Sequence, residues 1–137
     1  MANEVQFQEG PGYLIAEVSG PWDELNAMSQ IDAIRDEANK RNHSRLLIDM
    51  RKVLPPKDQM SRFYTGKHVA KVLPPPFKVA AFAKSELINR FAEKIAVNRG
   101  AMIAVFSEEK AAIEWLMDES STALVEKGKT AQLVLRH

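Results

Sequence analysis

Residues 45–50 read Arg-Leu-Leu-Ile-Asp-Met, and the run Leu46-Leu47-Ile48 within them decides the fold class. Three consecutive apolar residues leave no polar face, so a strand formed here is covered on both sides. Lys78–Ala83 (KVAAFA) and Met102–Phe106 (MIAVF) show the same continuous apolar character. Strands of this kind, alternating with helices, build a largely parallel sheet joined by right-handed crossovers.

The segments between these strands carry the helical period. Upstream, after Gly20-Pro21, acidic Asp23 and Glu24 suit a helix N-terminus, and Leu25, Met28, Ile31, Ile34 and Ala38 form one apolar stripe. Asp32, Arg35, Asp36 and Lys40 occupy the opposite face, and Asn42-His43-Ser44 ends the element. Downstream, Asp58 is a good N-cap, and Met60, Phe63, Ala70 and Leu73 mark the inward face of a second helix. Gly66 lies on the same side; glycine there costs about 1 kcal/mol against alanine, which close packing would explain. Pro74-Pro75-Pro76 stops this helix. Ser85 reads as the cap of a third helix that turns Leu87 or Ile88, Phe91, Ile95 and Val97 inward and closes at a left-handed Gly100. Ser107 with Glu108 and Glu109 opens a fourth, running through Trp115 and Leu116.

At the N-terminus Val5 and Phe7 alternate with polar residues, Gly10-Pro11-Gly12 makes a turn, and Tyr13–Ser19 is a second strand, so the pair reads as an antiparallel hairpin. The order is β-β-α-β-α-β-α-β-α: one α/β domain over residues 1–137, with its core in residues 4–119. In the tail 120–137, residues 132–135 suit either a last strand or a helix end.

A chain of 137 residues fits one domain and is long enough to bury a core without staples. It contains no cysteine, which excludes disulfides, thiolate nucleophiles and thiolate metal sites. The net charge is +1, so the molecule as a whole does not attract nucleic acid. The polar opening MANEVQFQEG is no signal peptide, and no apolar run approaches the roughly 20 residues of a membrane span. The expectation is a soluble cytoplasmic protein without a transmembrane segment.

Catalytic patterns are missing. There is no G-x-S-x-G elbow, and His43, His68 and His137 are scattered singly. The Gly10-Pro11-Gly12 pair opens no helix and cannot cradle a phosphate. Asp36-Glu37, Glu108-Glu109 and Asp118-Glu119 are adjacent on helical segments, so their side chains diverge, as solvated residues do. The chain is therefore expected to be no enzyme and to need no cofactor or metal.

Charge is the organised signal. From Arg51 to Lys78 the bases are Arg51, Lys52, Lys57, Arg62, Lys67, Lys71 and Lys78, against the single acid Asp58. From Ser107 to Glu126 the acids Glu108, Glu109, Glu114, Asp118, Glu119 and Glu126 stand against Lys110. The basic run suits an anionic partner, although such runs are more often solvated faces. Only Phe63 and Tyr64 lie near it, too few for single-stranded nucleic acid. Most aromatics belong to the core, yet Phe63-Tyr64 and the Leu73–Phe77 segment share one connection, where a lifted helix would admit an apolar ligand.

The element order, with LLIDMR (46–51), FAEKIAVNRG (91–100) and IAVFSEEKAAIEWL (103–116), resembles the SpoIIAA-like group of STAS-type domains, often grouped with CRAL-TRIO lipid-binding domains. The resemblance runs from Tyr13 to Leu116 and is most specific at Asn98-Arg99-Gly100, Phe106 and Glu114-Trp115-Leu116. Anti-sigma-factor antagonists of this type are controlled by phosphorylation of a serine opening the helix after the third strand, in an Asp-Ser-Ser-Gly-type motif. Here that motif falls at Asp58-Gln59-Met60-Ser61. Gln59, at the acceptor position, has no hydroxyl, and Ser61 is the only nearby substitute. The Asp58 carboxylate would also oppose a second anion at the same helix end. The CRAL-TRIO side implies an apolar small molecule beside the second and third helices.

These readings converge on a non-enzymatic STAS-like regulatory module. It would bind a protein partner through Arg51, Lys52, Lys57, Asp58, Gln59, Arg62, Lys67 and Lys71. The alternative is a carrier or sensor of a small apolar or amphiphilic, lipid-like ligand lined by Phe63, Tyr64, Phe77 and Phe91. An exposed sheet edge in so small a protein also suits a homodimer.

Overall fold

The computed structural model describes residues 5–119. It orders the chain as β1 (Gln6–Glu9), β2 (Leu14–Pro21), α1 (Glu24–Arg41), β3 (Arg45–Leu54), α2 (Gln59–Val72), β4 (Lys78–Phe82), α3 (Phe91–Asn98), β5 (Met102–Phe106) and α4 (Glu109–Leu116), with a 3-10 turn at Ser85–Leu87. The strands lie side by side in sequence order; β1 is antiparallel to β2 and every later pair is parallel. This is the expected mixed α/β sheet with its N-terminal hairpin. The ambiguous tail 120–137 lies outside the described residues.

Alternation along the central strands sets the layers. Leu46 and Ile48 of β3, with Val79 and Ala81 of β4, join the cluster that Ile31, Ile34 and Ala38 of α1, Val69 of α2 and Ala96 of α3 complete. Leu47, Ala80 and Phe82 point the other way, onto Ala112 and Leu116 of α4. Three successive crossovers of one hand place α1, α2 and α3 on one face of a sequentially ordered sheet. The helix α4 covers the other.

Two helices differ from the sequence reading. In α2 the buried residues are Arg62, Gly66 and Val69, followed by Leu73, while Met60 is 49% exposed. The face is rotated because Gly66 must meet α3, and Arg62, one turn earlier, is carried inward with it. The helix expected from Ser85 is broken. Leu87 is buried with Trp22, Ala27 and Ala83, which pins the chain after the 3-10 turn. Helix α3 then starts afresh behind Arg90, whose φ of 65° is left-handed, with the Asn89 side chain accepting from the Phe91 N–H. Asp58, by contrast, caps α2 as read, accepting from Ser61 N–H at 3.2 Å, and Gly100 has the left-handed φ of 102°.

The β5 edge is blocked at Val105. The outward Val105 N–H donates to Glu93 Oε2 at 3.0 Å, and the Arg90 guanidinium donates to the Val105 carbonyl at 2.9 Å. Arg90 and Glu93 are themselves paired at 2.9 Å. Two side chains of the α3 start thus occupy backbone groups that a neighbouring strand would otherwise use. The opposite edge, β1, has only four residues. The double substitution Arg90→Ala with Glu93→Ala is expected to raise self-association. Sedimentation velocity would show larger species at concentrations where wild type does not form them, and an unchanged distribution would contradict the blocking role.

Candidate functional site

The basic run divides among three environments. Arg51 hydrogen-bonds both Asp49 carboxylate oxygens, at 3.0 and 2.8 Å, and lies over the Phe82 ring on the α4 side of the sheet. Burial would raise the Asp49 pKa, but the side-chain and backbone hydrogen bonds from Arg51 hold it below the usual carboxylate value. Lys52 pairs with Glu17 at 3.3 Å. Lys78, the last base, is only 2% exposed; its Nζ sits over the Trp115 ring and donates to the Asp118 carbonyl at 2.9 Å.

Lys57, Lys67 and Lys71 are exposed. Lys67 lies over both Phe63 and Tyr64, which meet edge to face with centroids 5.5 Å apart, and Arg99 also covers Phe63. Tyr64, Lys67, Lys71 and Arg99 line a shallow groove on the outer surface between α1 and α2. Gln59 accepts from Asn89 at 3.1 Å, tying the start of α2 to the loop before α3. The Asp58 carboxylate already occupies the α2 N-terminus, where an anion would otherwise be held.

Arg62 does not belong to this surface. It is 9% exposed, and its guanidinium stacks 4.6 Å from the Trp22 ring. Trp22 is fixed by donating from Nε1 to Thr65 Oγ1 at 2.8 Å, and Thr65 in turn donates to the Ser61 carbonyl. Burial lowers the Arg62 pKa from its ordinary value.

The carboxyl ends of the strands add a feature that the charge pattern did not reveal. Leu25, Leu54 and Met60 are the exposed large apolar residues of the described chain, at 78%, 58% and 49%. Leu54 ends β3 in register with Pro21, the end of β2; Leu25 sits in the first turn of α1 and Met60 in that of α2. All three therefore stand at one end of the sheet, where βα connections present binding residues in open α/β folds. Lys57 and Gln59 share that end. Their apolar character could have been read from the sequence, but their exposure depends on how α1 and α2 are rotated.

Behind this end, between the sheet and helices α1, α2 and α3, lies a cavity of about 110 Å³. Small residues leave the space: Ala27, Ala81, Ala83, Ala92, Ala96 and Gly66 all line it. None of Phe63, Tyr64, Phe77 and Phe91 does. Phe63 and Tyr64 serve the outer face of α2, Phe77 packs on the main core from the loop before β4, and Phe91 is half-buried at the start of α3. The four aromatics do not form one pocket.

Among the described residues no cluster of three or more His, Asp or Glu side chains could hold a metal ion. His43 pairs with Glu9 at 2.7 Å, and His68 with Asp32 at 2.6 Å, each joining two elements of the fold. No described helix is long and apolar enough to cross a membrane.

No family model matches the chain, and no curated protein sequence matches it. Solved structures do. The crystal structure of an anti-sigma factor antagonist from Mycobacterium paratuberculosis superimposes with a TM-score of 0.61, covering 84% of this chain and 94% of that one at 15% identity. An uncharacterized protein of the DUF3478 family with a SpoIIAA-like fold, from Shewanella loihica PV-4, gives 0.52 at the same coverage and identity. The fold of this chain is therefore SpoIIAA-like. Both neighbours speak for that part of the sequence resemblance and neither for its CRAL-TRIO part.

Proposed function

We propose that this SpoIIAA-like domain is a regulatory module that binds a protein partner without catalysing a reaction, docking it at the carboxyl end of the sheet. The observation that carries this reading is the joint exposure of Leu25, Leu54 and Met60 there, beside Lys57. Apolar anchors with a charged rim are the make-up of a protein interface. Lys57 at that end favours an acidic partner surface, and Lys67 and Lys71 extend the basic face along α2 away from it. Similarity to an anti-sigma factor antagonist supports the regulatory role. Gln59 and the carboxylate cap of Asp58 argue against control by phosphorylation at the α2 start. Lys57, Asp58 and Gln59 stand at the docking end, with Lys67 and Lys71 farther along α2. Arg62 is excluded because it is buried, and Arg51 and Lys52 because they are paired with acids of β3 and β2.

The test is capture from a native lysate with quantitative mass spectrometry. Leu54→Asp with Lys57→Glu is expected to reduce the recovered partner at least about tenfold, as loss of an interface anchor does. Glu114→Lys, on exposed α4 across the sheet, is expected to retain it. Equal recovery by wild type and the Leu54/Lys57 variant would overturn the reading.

A further inference from the structure

The cavity beneath the three helices contains an electrostatic imbalance that the partner-binding reading does not use. Its lining surface is almost wholly apolar, and of the three charged residues on it Arg90 and Glu93 pair with each other at 2.9 Å, while Arg62, at 9% exposure, has no such partner. Among the described residues no carboxylate lies within 4.0 Å of this guanidinium and no acceptor receives its N–H groups; its one interaction is the stack on Trp22. A buried charge without an opposite charge is costly, and a guanidinium cannot shed its proton to escape the cost. The Trp22 ring covers the guanidinium from one side, and its N–H groups, without an acceptor, are the kind that bind a carboxylate by two parallel hydrogen bonds.

We propose that this cavity binds a small apolar monocarboxylate, its hydrocarbon part against the alanine-lined sheet and its carboxylate on the N–H edge of Arg62. A single guanidinium balances one negative charge, so a dianionic phosphate monoester would remain half uncompensated in apolar surroundings. Volume sets the size of the hydrocarbon part. A dry cavity of roughly 150 Å³ holds the six carbons of benzene, so 110 Å³ admits a hydrocarbon part of about four to five carbons. Long-chain lipids do not fit.

Isothermal titration with hexanoate as the probe tests this. Wild type is expected to bind it saturably at one site, and 1-hexanol, equal in length but neutral, at least about tenfold more weakly, since charge-assisted hydrogen bonds are at stake. Arg62→Gln is expected to lose hexanoate by a similar factor while keeping its weak hexanol binding. Ala81→Leu, which fills the cavity from β4, is expected to exclude both. Absence of saturable hexanoate binding, equal affinity of wild type for hexanoate and hexanol, or hexanoate binding that survives Ala81→Leu would each overturn the proposal. None of these three readouts needs the Arg62 variant and two use wild type alone, so they decide the matter even if Arg62→Gln does not fold. Neither Leu54 nor Lys57 lines the cavity, so its failure leaves the partner reading untouched.

Discussion

Substitution of Gly66 by valine is expected to unfold the domain under conditions where wild type is stable. A Cβ placed on Gly66 would lie 2.6 Å from the Ala92 carbonyl oxygen and 2.8 Å from Ile95 Cβ, both on α3. The nearer obstacle is backbone, so relief requires α2 and α3 to separate rather than one side chain to turn. Alanine in place of a helical glycine gains about 1 kcal/mol of propensity. Overpacking a filled contact costs about 1–3 kcal/mol. Gly66→Ala is thus expected to be destabilised despite the helical gain. Valine adds two more carbons and a stiff χ1, and its cost is a large share of the roughly 5–15 kcal/mol that holds a typical domain. Urea unfolding followed by circular dichroism measures both variants; a midpoint for Gly66→Ala equal to or above wild type would show that the helices can part cheaply.

Lys78 is expected to make the protein more stable as pH rises above 8. Burial first, and the Arg45 charge second, push its pKa down to about 8, against partial support from Asp118 and Glu119. In the unfolded chain the amine returns to its ordinary value of 10.5. Between these two values the unfolded state binds the extra proton and the folded state does not, so unfolding becomes less favourable as pH increases. Below pH 8 both states are protonated and the cost of the buried charge is constant. The increment between pH 8 and 10.5 is at most about 3 kcal/mol, from a shift of 10.5 − 8 = 2.5 units. The observable is the difference from Lys78→Met, which removes this one ionisable group. That variant is expected to lack the rise, and parallel stability curves from pH 7 to 10.5 would contradict the assignment.

The sheet was legible because its signal is local. Three apolar runs with no polar face could only be covered strands, and the turns between them identified the hairpin and most helix boundaries. The Asp58 cap and the left-handed Gly100 were readable for the same reason: each is decided within four residues. The rotation of α2 was not. Periodicity admitted Met60 and Phe63 on the inner face, and the close approach at Gly66 selected Arg62 and Val69 instead. The break before α3 depends on Leu87 reaching Trp22, a contact between residues far apart in sequence.

The site was harder still. The basic run had the right residues in sequence, but β3 carries Arg51 toward the α4 side of the sheet while α2 turns Arg62 into the core. Side-chain volume was the overlooked clue to the cavity. Ala80-Ala81-Phe82-Ala83 reads as a buried strand, but the unfilled space beneath α2 depends on the fold setting Gly66, Ala92 and Ala96 around the same cavity as Ala81 and Ala83.

Arg90 and Glu93 line the cavity as well as blocking the edge of β5. One pair of side chains therefore ties the room inside the domain to the state of its border. Outward movement of the α3 start must give up the 2.9 and 3.0 Å bonds to Val105 before the interior gains space. An occupant that displaced the α3 start would leave the Val105 N–H and carbonyl at the strand edge without these partners. Guest size and solubility are thus linked: widening at α3 for a bulkier molecule makes the domain more adhesive to its own copies.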